Sequence, residues 1–172
     1  MALATMIENL NNARNAYQAQ LKEIGSKAKQ AVAEFLAPNI PAGYAVMWTQ
    51  YKPYFNDGDA CTFSVHSPYL VELVKYEADG CPRHFDDCDA SHYLNSFAQD
   101  YGQGDRTVTS GVRSYQRRGI PLIDGYTVEQ AKALGEAWDK IPEDLFEAAF
   151  GDHTRCSVNS AGVAEVTEHE HD

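Results

Sequence analysis

The chain has 172 residues, 44% of them hydrophobic, which suits one folded domain with a substantial core and excludes wholesale disorder. Its formal net charge of −11 disfavours nucleic acid, whose phosphates need clustered lysine and arginine, and suits a basic partner instead. No apolar run approaches the roughly 18 residues of a membrane helix, and Met1-Ala-Leu-Ala-Thr lacks the basic start of an export signal, so no membrane role and a cytoplasmic location are expected.

Residues 1–37 read as one long amphipathic helix. Leu3, Ile7, Leu10, Tyr17, Leu21, Ile24, Ala28, Ala31 and Phe35 recur at alternating spacings of three and four, interrupted only by Arg14. Pro38 and Pro41 end the run, because proline cannot donate to the helical ladder. Such a helix would be about 50 Å long, more than the ~30 Å of a small domain. It therefore breaks near Gly25-Ser26, projects beyond the body, or pairs with a second copy, and a homodimer through this helix is one expectation.

Between Tyr44 and Tyr76 the period becomes two. Tyr44, Val46 and Trp48 share one face, and Met47, Thr49 and Tyr51 the other. Asn56-Asp57-Gly58-Asp59 is a hairpin turn rather than a calcium loop, since the twelfth position is Ser67 instead of glutamate. Cys61, Phe63 and Val65 return as the inward face of a second strand, with Thr62, Ser64 and His66 outside. A third strand, Tyr69 to Tyr76, follows the Ser67-Pro68 punctuation and completes an antiparallel meander. Pro53 favours an edge or a bulge.

Residues 77–90 are turn-rich. A short helix is predicted over Ser91 to Tyr101, and Gly102, Gly104, Gly111 and Gly119 mark a mobile stretch. Thr127 and Gln130 form a capping box opening a helix whose Val128, Ala131, Leu134 and Trp138 face the core. Pro142 starts a further helix that Gly151 ends. Thr154 to Val158 and Val163 to Val166 then make a hairpin around Asn159–Gly162, extending the same sheet. The predicted class is α+β, divided as a helix (1–37), a globular body (38–167) and an acidic tail (168–172).

The run Trp48-x-Gln50-Tyr51-x-Pro53-Tyr54-Phe55-Asn56-Asp57-Gly58-Asp59, followed by Cys61-x-Phe63-x-Val65, resembles a set of uncharacterised proteins of tailed bacteriophages. Phe150-Gly-Asp-His-Thr, a terminal hairpin and an acidic ending with His171-Asp172 are similar too, as is the long helix before the motif. These segments span about a third of the chain. The resemblance implies a phage origin and action in the cytoplasm of an infected cell. It implies no catalytic residue.

Three constellations carry chemistry. Cys81, His84, Cys88 and His92 place four zinc-compatible side chains within twelve residues, enough for a structural tetrahedral site or, less simply, a metalloenzyme. The bland alternative is a solvated loop with incidental thiols. Arg106, Arg113, Arg117 and Arg118 gather four of the chain's fourteen basic residues among glycines and hydroxyls. With Tyr51 and Tyr54, or Tyr115, they suit a phosphorylated ligand or a nucleotide signal; the competing reading makes them internal ion-pair partners. Trp48, Tyr51, Tyr54 and Phe55 could form a recognition surface, although strand aromatics are more often core. No Gly-x-Ser-x-Gly or His-Glu-x-x-His motif is present, so nothing argues positively for an enzyme. The reading is a phage accessory protein that binds a host factor, with a small-ligand binder and a zinc protein as alternatives.

Overall fold

The computed structural model describes residues 3–54, 61–80, 91–110 and 113–169. In chain order these form α1 (Leu3–Leu36), a short 3-10 turn (Ala37–Asn39), β1 (Tyr44–Tyr51), β2 (Ser64–Glu72), α2 (Leu73–Ala78) and β3 (Ser91–Tyr93). Then come α3 (Leu94–Asp100), β4 (Arg106–Ser110), β5 (Arg113–Arg117), α4 (Val128–Asp139), α5 (Glu143–Phe150), β6 (Thr154–Asn159) and β7 (Ala164–Glu168). The class is α+β. A five-stranded antiparallel sheet in the order β3-β2-β1-β6-β7 is accompanied by the separate β4–β5 hairpin.

β1 lies at the centre of the sheet and is buried on both faces. Val46, Trp48 and Gln50 point toward α1, α4 and α5, within a core that includes Val32, Leu36, Leu134, Trp138, Phe146 and Phe150. Ala45 and Met47, on the opposite face, pack with Val71 of β2 and Tyr76 of α2 in a smaller cluster. Trp48 meets Trp138, Phe146 and Phe150 edge-on, at ring-centroid distances of 5.2, 5.4 and 5.0 Å. Edge-to-face packing of this kind aligns the ring quadrupoles and adds to the burial gain.

Gln50 is the polar residue inside this shell. It is fully buried, accepts from Trp48 Nε1 at 2.9 Å, and donates through Nε2 to the carbonyls of Phe146 and Gly151. One side-chain amide thus satisfies the indole and two carbonyls around the end of α5. Gly151 ends that helix with φ 82°, a left-handed conformation that glycine adopts without a Cβ penalty.

α1 does not break at Gly25. A Cβ added there would lie 2.7 Å from the carbonyl oxygen of Ala148, so Gly25 is where α1 comes closest to α5. From that point Val32, Ala33 and Leu36 are buried, whereas every described side chain from Met6 to Ile24 is exposed. The N-terminal part of the helix projects beyond the body.

The capping box is present, with Thr127 Oγ1 accepting from Gln130 N and Gln130 Oε1 accepting from Thr127 N. The terminal hairpin does join the main sheet, through β1 and β6. Three expectations need correction. Tyr69 to Tyr76 is not a separate strand: β2 runs through Pro68, and its second half has already become α2 at Leu73. Met47 pairs with Tyr69 and Thr49 with His66, so Ser67 and Pro68 together oppose Trp48. A bulge accommodates the missing N–H of a proline inside a continuous strand. Ser91–Tyr93 is the third strand, and the helix predicted from Ser91 begins only at Leu94. The glycine-marked stretch contains an ordered hairpin, with Arg106 opposite Arg117 and Ser110 opposite Arg113. The β-branched run Thr107-Val108-Thr109 outweighs the glycines around it. The Asn56–Asp59 turn lies outside the described residues, while the β1–β2 pairing it was expected to join is antiparallel.

Gln50→Leu keeps the volume but strands the Trp48 N–H and two carbonyls in the core. A loss of about 3 kcal/mol in unfolding free energy is expected from equilibrium urea denaturation, at one to three per stranded group with partial relaxation. A loss below ~1 kcal/mol would show that water replaces the amide without cost.

Candidate functional site

The end of β1 carries a cluster of rings drawn from four chain segments. Tyr51 stacks on His66 of β2 at 4.3 Å and 22°, and lies 6.4 Å from His153 and 6.1 Å from His169. Tyr54 stacks on His153 at 4.5 Å and 10°. Register explains the first contact, because Thr49 pairs with His66 and places it diagonal to Tyr51 on one sheet face. The turn after α5 explains the second. Asp152 Oδ1 accepts from the backbone N–H groups of Lys52 and His153, at 2.8 and 2.9 Å, and holds His153 against the outgoing β1 chain. His153 has φ 53°, an uncommon conformation for a residue with a side chain. His169 is tied in by its N–H, which donates to the His153 carbonyl at 2.9 Å.

Tyr54 is 75% exposed. Lys52 pairs with Glu147 alongside. The assembly offers flat π faces, with Tyr54 exposed.

The arginines are placed elsewhere. Asp100, at the end of α3, is only 4% exposed and takes two of them, Arg106 Nη2 on Oδ1 at 2.8 Å and Arg117 Nε on Oδ2 at 2.6 Å. Arg106 and Arg117 are cross-strand partners, so the hairpin clamps one carboxylate from both strands. Arg117 also donates to Gln99 Oε1 at 3.1 Å. Arg118 is exposed just beyond β5, and Arg113 is placed by its backbone pairing with Ser110. Arg106 further borders an open recess of about 450 Å³ with Lys132, Glu136 and Asp139, a mixture of charges that does not select a phosphate. Tyr51 and Tyr54 and the arginines therefore belong to different parts of the fold. Tyr115 is exposed on β5.

A second polar cluster escaped the sequence reading. Tyr44 opens β1, Glu72 ends β2, Lys75 belongs to α2 and His92 to β3, and all four line a cleft of about 330 Å³ walled by Ile120–Asp124. Lys75 Nζ lies 2.6 Å from Glu72 Oε2, and Tyr44 OH donates to the same oxygen at 3.4 Å. Burial, and then the Tyr44 neighbour Glu72, raise the Tyr44 phenol. Burial followed by the Lys75 charge lowers the His92 imidazole, favouring its neutral form. The folded state thus resists protonating His92, and stability that is full above an ordinary imidazole pKa is lost as pH falls through it. The wall is pinned by Tyr101, whose hydroxyl donates to the Tyr126 carbonyl at 3.0 Å and accepts from Ile123 N at 2.6 Å.

His92 is also the single described member of the expected zinc set; Cys81, His84 and Cys88 lie outside the described residues. Among the described residues no three His, Cys, Asp or Glu side chains come together as a cation site. Cys156 is buried at the centre of the sheet, where burial pushes its thiol up to about 12 and leaves it inert. No described helix is long and apolar enough to cross a membrane.

Nothing in the sequence linked Tyr51 and Tyr54 to His66, His153 and His169. The only available signal was the outward register of Tyr51 and His66. No protein-family model, curated protein or solved structure matches this chain.

Asp100→Ala leaves two arginines without their carboxylate. A loss of about 2 kcal/mol is expected, below the 3–5 of a fully buried pair because Arg106 and Arg117 side chains retain 40% and 26% exposure. Limited proteolysis should then cut first in the β4–β5 hairpin. Arg118→Ala should stay within ~0.5 kcal/mol of the parent. Equal effects from the two substitutions would remove the clamp.

Proposed function

We propose that this chain is a binding protein, an accessory factor of a tailed bacteriophage that acts in the infected cell's cytoplasm by engaging a basic host protein. The observation that carries the reading is the ring cluster at the end of β1, in which Tyr54 is stacked on His153 and yet largely exposed. Exposed tyrosines held rigid by stacking are effective interface anchors, because they bury large area at little entropic cost. A lysine or arginine of the partner can sit on the exposed Tyr54 ring by cation–π attraction. The net charge of −11 favours encounter with such a surface. The hairpin resemblance supports the phage origin, and Tyr51 and Tyr54 belong to the residues that carry it.

A small-ligand role is the alternative, and the cleft beside Tyr44, Glu72, Lys75 and His92 is the observation that favours it. The arginines contribute less to that alternative than their number suggests, since Arg106 and Arg117 are already engaged by Asp100. A structural zinc held by Cys81, His84, Cys88 and His92 is compatible with either role, because a neutral imidazole is the metal-binding form.

Immobilised protein should retain a host partner that elutes as salt rises. Tyr54→Ala should weaken that retention about tenfold, roughly 1.4 kcal/mol, with unchanged melting. Retention that is insensitive to both salt and Tyr54 overturns the reading.

A further inference from the structure

The projecting half of α1 is a poor candidate for a helix that stands alone. Its first two-thirds include Asn9, Asn11, Asn12 and Asn15, residues with low helix propensity. Such a segment in water owes its stability to packing of an apolar face, and the body does not provide that packing before Gly25. The face itself is exposed: Met6, Ile7, Leu10, Tyr17 and Ile24 all stand open to solvent. At roughly 100 Å² per side chain, burying these five on two copies removes about 1,000 Å², where stable interfaces begin.

We infer that α1 pairs with α1 of a second copy, antiparallel, about a midpoint between Asn15 and Ala16. Ile7, Arg14, residue 21, Ala28 and Phe35 recur every seven residues, as do Leu10, Tyr17, Ile24 and Ala31 offset by three. That is the seam of a two-stranded coil. Two features choose the direction. In a parallel pair Arg14 meets Arg14 of the second copy, placing like charges in one core layer. In the antiparallel pair Arg14 meets Tyr17 of the second copy, where its guanidinium lies on an aromatic ring, and Ile7 meets Ile24. Parallel pairing also brings two bodies of net charge −11 to one end, whereas antiparallel pairing holds them at opposite ends. The product is a dumbbell whose two ring clusters face separate regions of solvent. This inference goes beyond the proposed binding role and is independent of it, since it uses no residue of the ring cluster.

The test combines mass and distance on the full chain. Native mass spectrometry should give twice the 19.1 kDa chain mass. Leu10→Glu with Ile24→Glu should give a monomer that loses far-UV helix signal equivalent to about 20 residues while the near-UV signal of the body is kept. A nitroxide amino acid incorporated at Lys27, which is exposed, should report a spacing of about 35 Å between copies, from 23 residues of axial offset. A spacing under about 20 Å means parallel helices and overturns the inference. A monomeric parent chain, or a dimer that survives both glutamates, also overturns it, the first by leaving the stripe to a different partner.

Discussion

The Trp48–Gln50 pair is the interaction on which the rest of this structure rests. A tryptophan in the central strand fills the space between the sheet and the two helices α4 and α5, and its indole N–H would be stranded there without Gln50. The same amide then reaches the carbonyls of Phe146 and Gly151. One strand therefore determines where α5 ends. Because the chain leaves α5 through Gly151, Asp152 and His153, it also determines where the ring cluster forms.

The parts of the fold that could be read from the sequence are those governed by local rules. Thr127 and Gln130 satisfy each other within one turn, and Pro142 and Gly151 bound α5 through backbone constraints that need no tertiary partner. The alternation of β1 was equally plain, since both cores read the same period. Pro68 misled because a Ser-Pro pair reads as punctuation between strands, and only the pairing with β1 reveals that a bulge absorbs it. The β4–β5 hairpin was hidden for a comparable reason. It has little core of its own, and what secures it is a carboxylate six residues before its first strand.

The arginines illustrate how far composition alone can carry a site. Four guanidinium groups in an acidic chain invite a ligand anion, yet a buried aspartate provides that anion internally for two of them. Asp100 at a helix C-terminus opposes the local dipole and would be costly if unpaired. Two charge-assisted bonds at 2.6 and 2.8 Å offset that cost. The tyrosine half of the expected pocket has a better claim to function, because Tyr54 is stacked and exposed at once, a combination that core packing does not require. The three histidines beside it come from positions 66, 153 and 169, and only the order β2-β1-β6-β7 brings such distant residues together.

α5 connects the two surfaces. On its side, Ala148 receives Gly25 and fixes the point at which α1 leaves the body. At its end, Gly151 turns the chain toward Asp152 and His153. An eight-residue helix thus sets both the origin of the projecting arm and the placement of the rings. A longer side chain at position 25 would push the arm away from Ala148, whereas Gln50 and Asp152 hold the turn after α5 through contacts that do not involve Gly25. The arm and the rings share a foundation without sharing contacts. The assembly proposed for one and the recognition proposed for the other are therefore physically separable.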